Sequence, residues 1–165
     1  MPNKTDVAAA LCSLVFIGEL AVSAYWDRSI RMLHVFESLP YLLAAVLCVR
    51  RSKLGYALGL VSGAFWLFMA GFLTTFVRNG FERLDMLIRT GSVDRPDILI
   101  AVPAALATAS LVVLSLVGYG RFQNKSWRDL AVLGATVVAI PVFFIAIFAA
   151  FAPQYLAMFR SVGNR

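Results

Sequence analysis

The 165-residue sequence is poor in the groups that carry most protein chemistry: 15% of its residues are charged, one is histidine and two are cysteine. With His34 alone, bis-histidine haem ligation and three-histidine zinc sites are excluded within one chain. Cys12 and Cys48 lack C-x-x-C spacing, and two thiols cannot hold a four-cysteine iron–sulfur cluster, so both read as packing residues. No G-x-x-x-x-G-K-[ST], G-x-G-x-x-G or G-x-S-x-G string occurs. ATP hydrolysis, dinucleotide binding and a nucleophile elbow therefore have no local support, and no nucleophile with a matched base is visible. Neither a metal nor a cofactor is expected.

The shortage of charge also decides the class. Apolar residues make up 61% of the chain and the mean hydropathy is +0.81, whereas a soluble domain carries roughly 45–50% apolar and about 25% charged residues. Five apolar blocks, 7–26, 33–49, 54–77, 97–119 and 129–152, match the ~20 residues that ~30 Å of hydrocarbon requires. The expected fold is all-α: a single membrane domain over 1–165, built as a bundle of five spans. Four spans is the alternative, because Arg31, His34 and Glu37 open the second block and its uninterrupted apolar run is only 39–49. The basic turn 50–53 joins that block to the strongly apolar third, which makes a helical hairpin its natural solution. Residues 7–18 followed by Val22-Ser23-Ala24 also fit a secretory signal, although Lys4 is the only basic residue before them and Glu19 interrupts the run.

The net charge of +6 sits at the edges of the blocks, where it orients helices and meets anionic lipid headgroups rather than nucleic acid. Lys4, Arg50, Arg51, Lys53, Arg121, Lys125 and Arg128 fall on one side, in short segments nearly free of acid. Arg28, Arg31, the four arginines between 78 and 95, Arg160 and Arg165 fall on the other, interspersed with Asp27, Glu82, Asp85, Asp94 and Asp97. This distribution places the N-terminus in the cytoplasm and the C-terminus outside an inner or plasma membrane. Trp26, Tyr119 and Trp127 lie near the ends of blocks, as interfacial aromatics do. Ser126-x-x-Asp129 reads as a capping box for the fifth span.

Helices in lipid associate through close approach and polar contacts. Gly55, Gly59, Gly63 and Gly71 form a small-residue stripe on the third span, and Ala101, Ala105 and Ala109 repeat the period on the fourth, so both stripes are expected to meet a neighbour closely. Between these spans, Phe81, Leu84 and Ile88 share a helical face that avoids Glu82, Asp85 and Arg89. This predicts an amphipathic interfacial helix, with a lid over an outward-facing cavity as its alternative. Pro103 and Pro141 read as packing kinks, and Pro40 frees the carbonyl of Phe36 beside Glu37.

Ionisable groups inside spans are costly and mark candidate sites. Glu19 lies seven residues before Trp26, roughly 10 Å from the end of its span. His34 and Glu37, three apart, share a helix face at the same side. With Thr74, Thr75 and Arg78 at the end of the third span, and Arg31 and Tyr41 nearby, these residues form one candidate cluster. Four readings fit it: a structural network in which Glu19 is neutral or paired with Arg78 or Arg31; a proton-coupled solute site; a two-carboxylate, one-histidine metal site; and an enzyme with Glu19 or Glu37 as base and His34 as acid. The expected function is non-enzymatic: a small transporter-like protein or a subunit of a membrane complex, with lipid, a second membrane protein or another copy of the chain as partner. A membrane-embedded enzyme acting on a lipid or lipophilic substrate is the alternative.

Overall fold

The computed structural model describes residues 1–123 and 126–154; Lys125, Arg160 and Arg165, used above in assigning sides, lie outside them. Helices α1 (Lys4–Trp26), α2 (Arg31–Val49), α3 (Lys53–Phe68), α4 (Phe76–Thr90), α5 (Ala101–Gly120) and α6 (Trp127–Phe151) follow in chain order. Short turns of 3-10 helix lead into α2 and α5, and a π-helical turn, Met69–Leu73, extends α3. Five of these units are long and apolar enough to cross a membrane, and α4 is the exception. The helices α1, α2, α3 and α5 form the packed centre, with α6 against α3 and α2, and α4 against α5.

Local signals explain most boundaries. Asn3 and Asp6 exchange backbone-to-side-chain bonds of 2.7 and 2.9 Å, a capping box that starts α1 three residues before the first apolar block. The Asp129 carboxylate accepts from the Ser126 amide at 2.7 Å and starts α6 in the same way. Asp27 ends α1 and caps the next turn through Ser29.

The third span ends at Leu73 rather than at residue 77. Thr74 has extended backbone angles, its amide reaches Met69 O in a π-type bond of 2.9 Å, and its hydroxyl donates to Ala70 O at 3.3 Å. A threonine side chain that bonds backbone competes with helix continuation, and the wide turn swings the chain sideways into α4. Helix α4 packs on α5 through Gly80, where a Cβ would meet Ala101 Cβ at 2.7 Å. Its Leu84 turns partly inward, while Phe81 and Ile88 stay exposed beside the charged face.

Most positions of the two small-residue stripes lie close to a neighbour. Gly59 and Gly63 approach α5 at Leu111, Ser115, Thr108 and Val112; Ala101 meets Gly80 of α4, Ala105 is buried and Ala109 is exposed. Four-residue steps overshoot the 3.6-residue turn by about 40° each, so a strict i, i+4 row leaves its face after two steps. The buried row of α5 instead runs Ala104, Thr108, Leu111, Ser115, Gly118, alternating steps of four and three. Gly55 packs on the end of α2 at Leu47 and Cys48, and Gly71 faces open space.

Candidate functional site

At the Trp26 end of the bundle, α1, α2, the π turn, α5 and α6 surround a cavity of about 170 Å³. Its apolar wall includes Phe16, Trp66, Phe144 and Phe148, and its polar groups are Glu19, Ser23, His34, Glu37 and Thr74. Glu19 and Ser23 stand one turn apart on α1, and His34 and Glu37 one turn apart on α2. The antiparallel hairpin through Asp27 therefore brings the two pairs face to face.

The hydrogen bonds run in a line. His34 Nδ1 lies 2.8 Å from Glu37 Oε2, and His34 Nε2 lies 3.0 Å from Ser23 Oγ. A Glu37 carboxylate requires hydrogen on Nδ1. In neutral His34 this leaves Nε2 to accept from the Ser23 hydroxyl. Glu37 is buried and His34 nearly so. Glu19, which also lines the cavity, has no hydrogen bond or ion pair among the described residues.

Of the residues grouped from sequence, Glu19, His34, Glu37 and Thr74 come together here. Thr75 and Arg78 do not. The break at Thr74 carries Thr75 to the N-cap of α4 and Arg78 onto its first turn; Thr75 accepts from Asn79 at 3.1 Å and Arg78 pairs with Glu82 at 2.8 Å in solvent-exposed positions. Arg31 is exposed at the start of α2. Tyr41 is buried more than a turn deeper and donates to Ser62 O at 2.9 Å. Ser23 is the polar residue of the site that sequence reasoning missed: its hydroxyl lies 3.0 Å from His34 Nε2, and its signal was the i, i+4 relation to Glu19 on a span whose neighbour carries His34.

A second polar group occupies the Lys4 end. Tyr56 donates to the buried Asp6 carboxylate, whose other oxygen accepts from the Asn3 amide and lies 3.7 Å from Arg51 Nε. Arg121 donates to Thr5, and Lys53 pairs with Asp129 at 2.7 Å. The cavity there is only about 60 Å³. Among the described residues, no group of three or more His, Cys, Asp or Glu could hold a metal ion.

Compared with protein-family models, curated proteins and solved structures, the chain matches none.

Proposed function

We propose that the chain is a five-span integral membrane protein that binds a small amphiphilic molecule in the Trp26-end cavity without transforming it, as a small transporter or carrier does. The observation that carries this reading is the cavity itself. An apolar cavity of about 150 Å³ holds a benzene-sized ligand, and this one adds three ionisable groups at membrane depth, where such groups mark solute sites. In this reading the N-terminus is cytoplasmic, the cavity opens toward the other side of an inner or plasma membrane, and α4 lies in the interface with Phe81 and Ile88 toward lipid. Lipid covers the outward faces of the spans, including the exposed valines of α6.

In lipid nanodiscs, benzyl alcohol is expected to raise the melting temperature of the wild type and not that of Ala104→Phe, which fills the cavity. An equal response of both proteins overturns the reading. For orientation, Asn3→Cys should react with a membrane-impermeant maleimide only from the cytoplasmic side and Ser92→Cys only from the opposite one.

The Ser23–His34–Glu37 line favours a second reading, a membrane-embedded hydrolase acting on a lipophilic ester, with Ser23 as nucleophile, His34 as base and Glu37 as its orienting group. Geometry weighs against it. Acyl transfer needs donors aimed at the developing oxyanion, yet Ser23 lies inside α1, where its own amide and that of Ala24 are used by the helix. A fluorophosphonate probe is therefore expected to leave Ser23 unlabelled; labelling abolished by Ser23→Ala would establish the hydrolase.

A further inference from the structure

The cavity wall holds two carboxyl side chains and one imidazole. Among the described lining residues the ionisable groups are Glu19, His34 and Glu37, with neither lysine nor arginine. The arginines that could reach this end are held elsewhere: Arg78 by Glu82 and Arg83 by Asp94, with Arg28 and Arg31 exposed. Glu37 gives one oxygen to His34 Nδ1; Glu19 has no partner among the described residues. Aromatic rings of Phe16, Trp66, Phe76, Phe144 and Phe148 form much of the rest of the wall.

A carboxyl side chain without an internal partner, Glu19, set among aromatic side chains, presents the complement of an organic cation. An ammonium group gains from the carboxylate charge and from the quadrupole of each ring face, while a carboxylate ligand meets repulsion and a neutral one gains neither. Ser23 Oγ adds a nearby acceptor, which suits a donor ligand. The volume limits the apolar part of the ligand to about one ring. We infer that the cavity selects a small lipophilic ammonium ion, an organic amine in its protonated form or a quaternary ammonium, with its charge at Glu19 and its apolar group against Trp66 and Phe144. This assignment rests on the cavity-binding reading above and names its ligand class.

The test uses the full chain in nanodiscs of neutral phosphatidylcholine, with Trp26→Phe and Trp127→Phe so that Trp66 alone reports binding by fluorescence. Three probes of matched size are titrated near pH 7: benzylammonium, benzyl alcohol and benzoate. Benzylammonium is expected to bind about tenfold more tightly than benzyl alcohol, the ratio that one cation–π and carboxylate contact sustains, with benzoate weakest. Glu19→Gln should bring benzylammonium down to the benzyl alcohol value. Equal affinity for benzylammonium and benzyl alcohol in the wild type, with both lost in Ala104→Phe, overturns the cation assignment and leaves the cavity reading standing. Absence of any saturable signal, unchanged by Ala104→Phe, overturns both. The three-probe ranking in the wild type decides the matter even where Glu19→Gln fails to fold.

Discussion

The two ends of the bundle solve the same problem differently. Each places a carboxylate among apolar helices, at Asp6 and at Glu19. Around Asp6 the fold supplies a tyrosine hydroxyl, a backbone amide and an arginine, and the space left over is about 60 Å³. Around Glu19 it supplies no partner among the described residues and leaves a cavity nearly three times that volume. A buried acid that serves structure is expected to be satisfied internally, because an unmade bond costs more than a made one contributes. Asp6 is buried and fits that description; Glu19 is half-buried, lines the cavity and has no partner among the described residues, which is why the cavity end carries the functional proposal.

The strongest way to break this contrast is to remove each acid. Asp6→Ala strips a partner from the Tyr56 hydroxyl and one half of the α1 capping box, and is expected to cost about 2–3 kcal/mol. Glu19→Gln removes no bond seen within the fold and should change stability by less than about 0.5 kcal/mol. Both are measured by reversible denaturation in mixed micelles. If Glu19→Gln proves as costly as Asp6→Ala, Glu19 belongs to a structural network and the contrast collapses.

Adding carbon sharpens the comparison next. A Cβ on Gly118 would overlap the Tyr56 ring, which is buried and held by Asp6. Overpacking of this kind costs roughly 1–3 kcal/mol, and the better helix propensity of alanine returns about 1. Gly118→Ala should therefore lose about 1 kcal/mol net. Ala104→Val places its extra methyls on the wall of the open cavity and should gain about 0.5 kcal/mol, as cavity-filling changes commonly do. Loss at both sites would show that the Trp26 end is as tightly packed as the other.

How far the sequence anticipates these ends depends on the range of the signal. The five apolar blocks, the hairpin at 50–53 and the box at Ser126 are local, and their helices appear at nearly those bounds. Glu19, His34 and Glu37 could be matched by depth because two antiparallel spans joined at Asp27 share an origin for counting. Thr75 and Arg78 failed because depth was extrapolated through Thr74, and a hydroxyl that bonds backbone leaves no trace in hydropathy. The Asp6–Tyr56 bond joins residues fifty apart in sequence, on helices whose adjacency no composition reveals. The α5 stripe was legible in part: Ala101 and Ala105 are buried, whereas Ala109 is exposed, since matching letters every fourth residue ignores the drift of the helix.

The smallest effect concerns the turn that holds the cavity's two polar pairs together. Asp27 Oδ1 accepts from the Ser29 hydroxyl at 2.6 Å and from its amide at 2.9 Å, and these bonds lower the Asp27 pKa below the ordinary aspartate range. A carboxyl with a lowered folded pKa stabilises the fold above its unfolded pKa, about 3.9, and loses that contribution as pH falls through the lower folded value. The difference in stability between wild type and Asp27→Asn should therefore be constant from neutral pH to about 5 and shrink toward zero in more acidic solution. Because the turn is exposed, the plateau should be no more than about 0.5 kcal/mol, the low end for a capping residue. The local consequence should exceed the global one: with the turn loosened, Ser23 and His34 lose their fixed spacing, and the His34 ring resonances should broaden in Asp27→Asn. Sharp, unshifted resonances would show that the packing of α1 on α2, and not the turn, sets the alignment at this end.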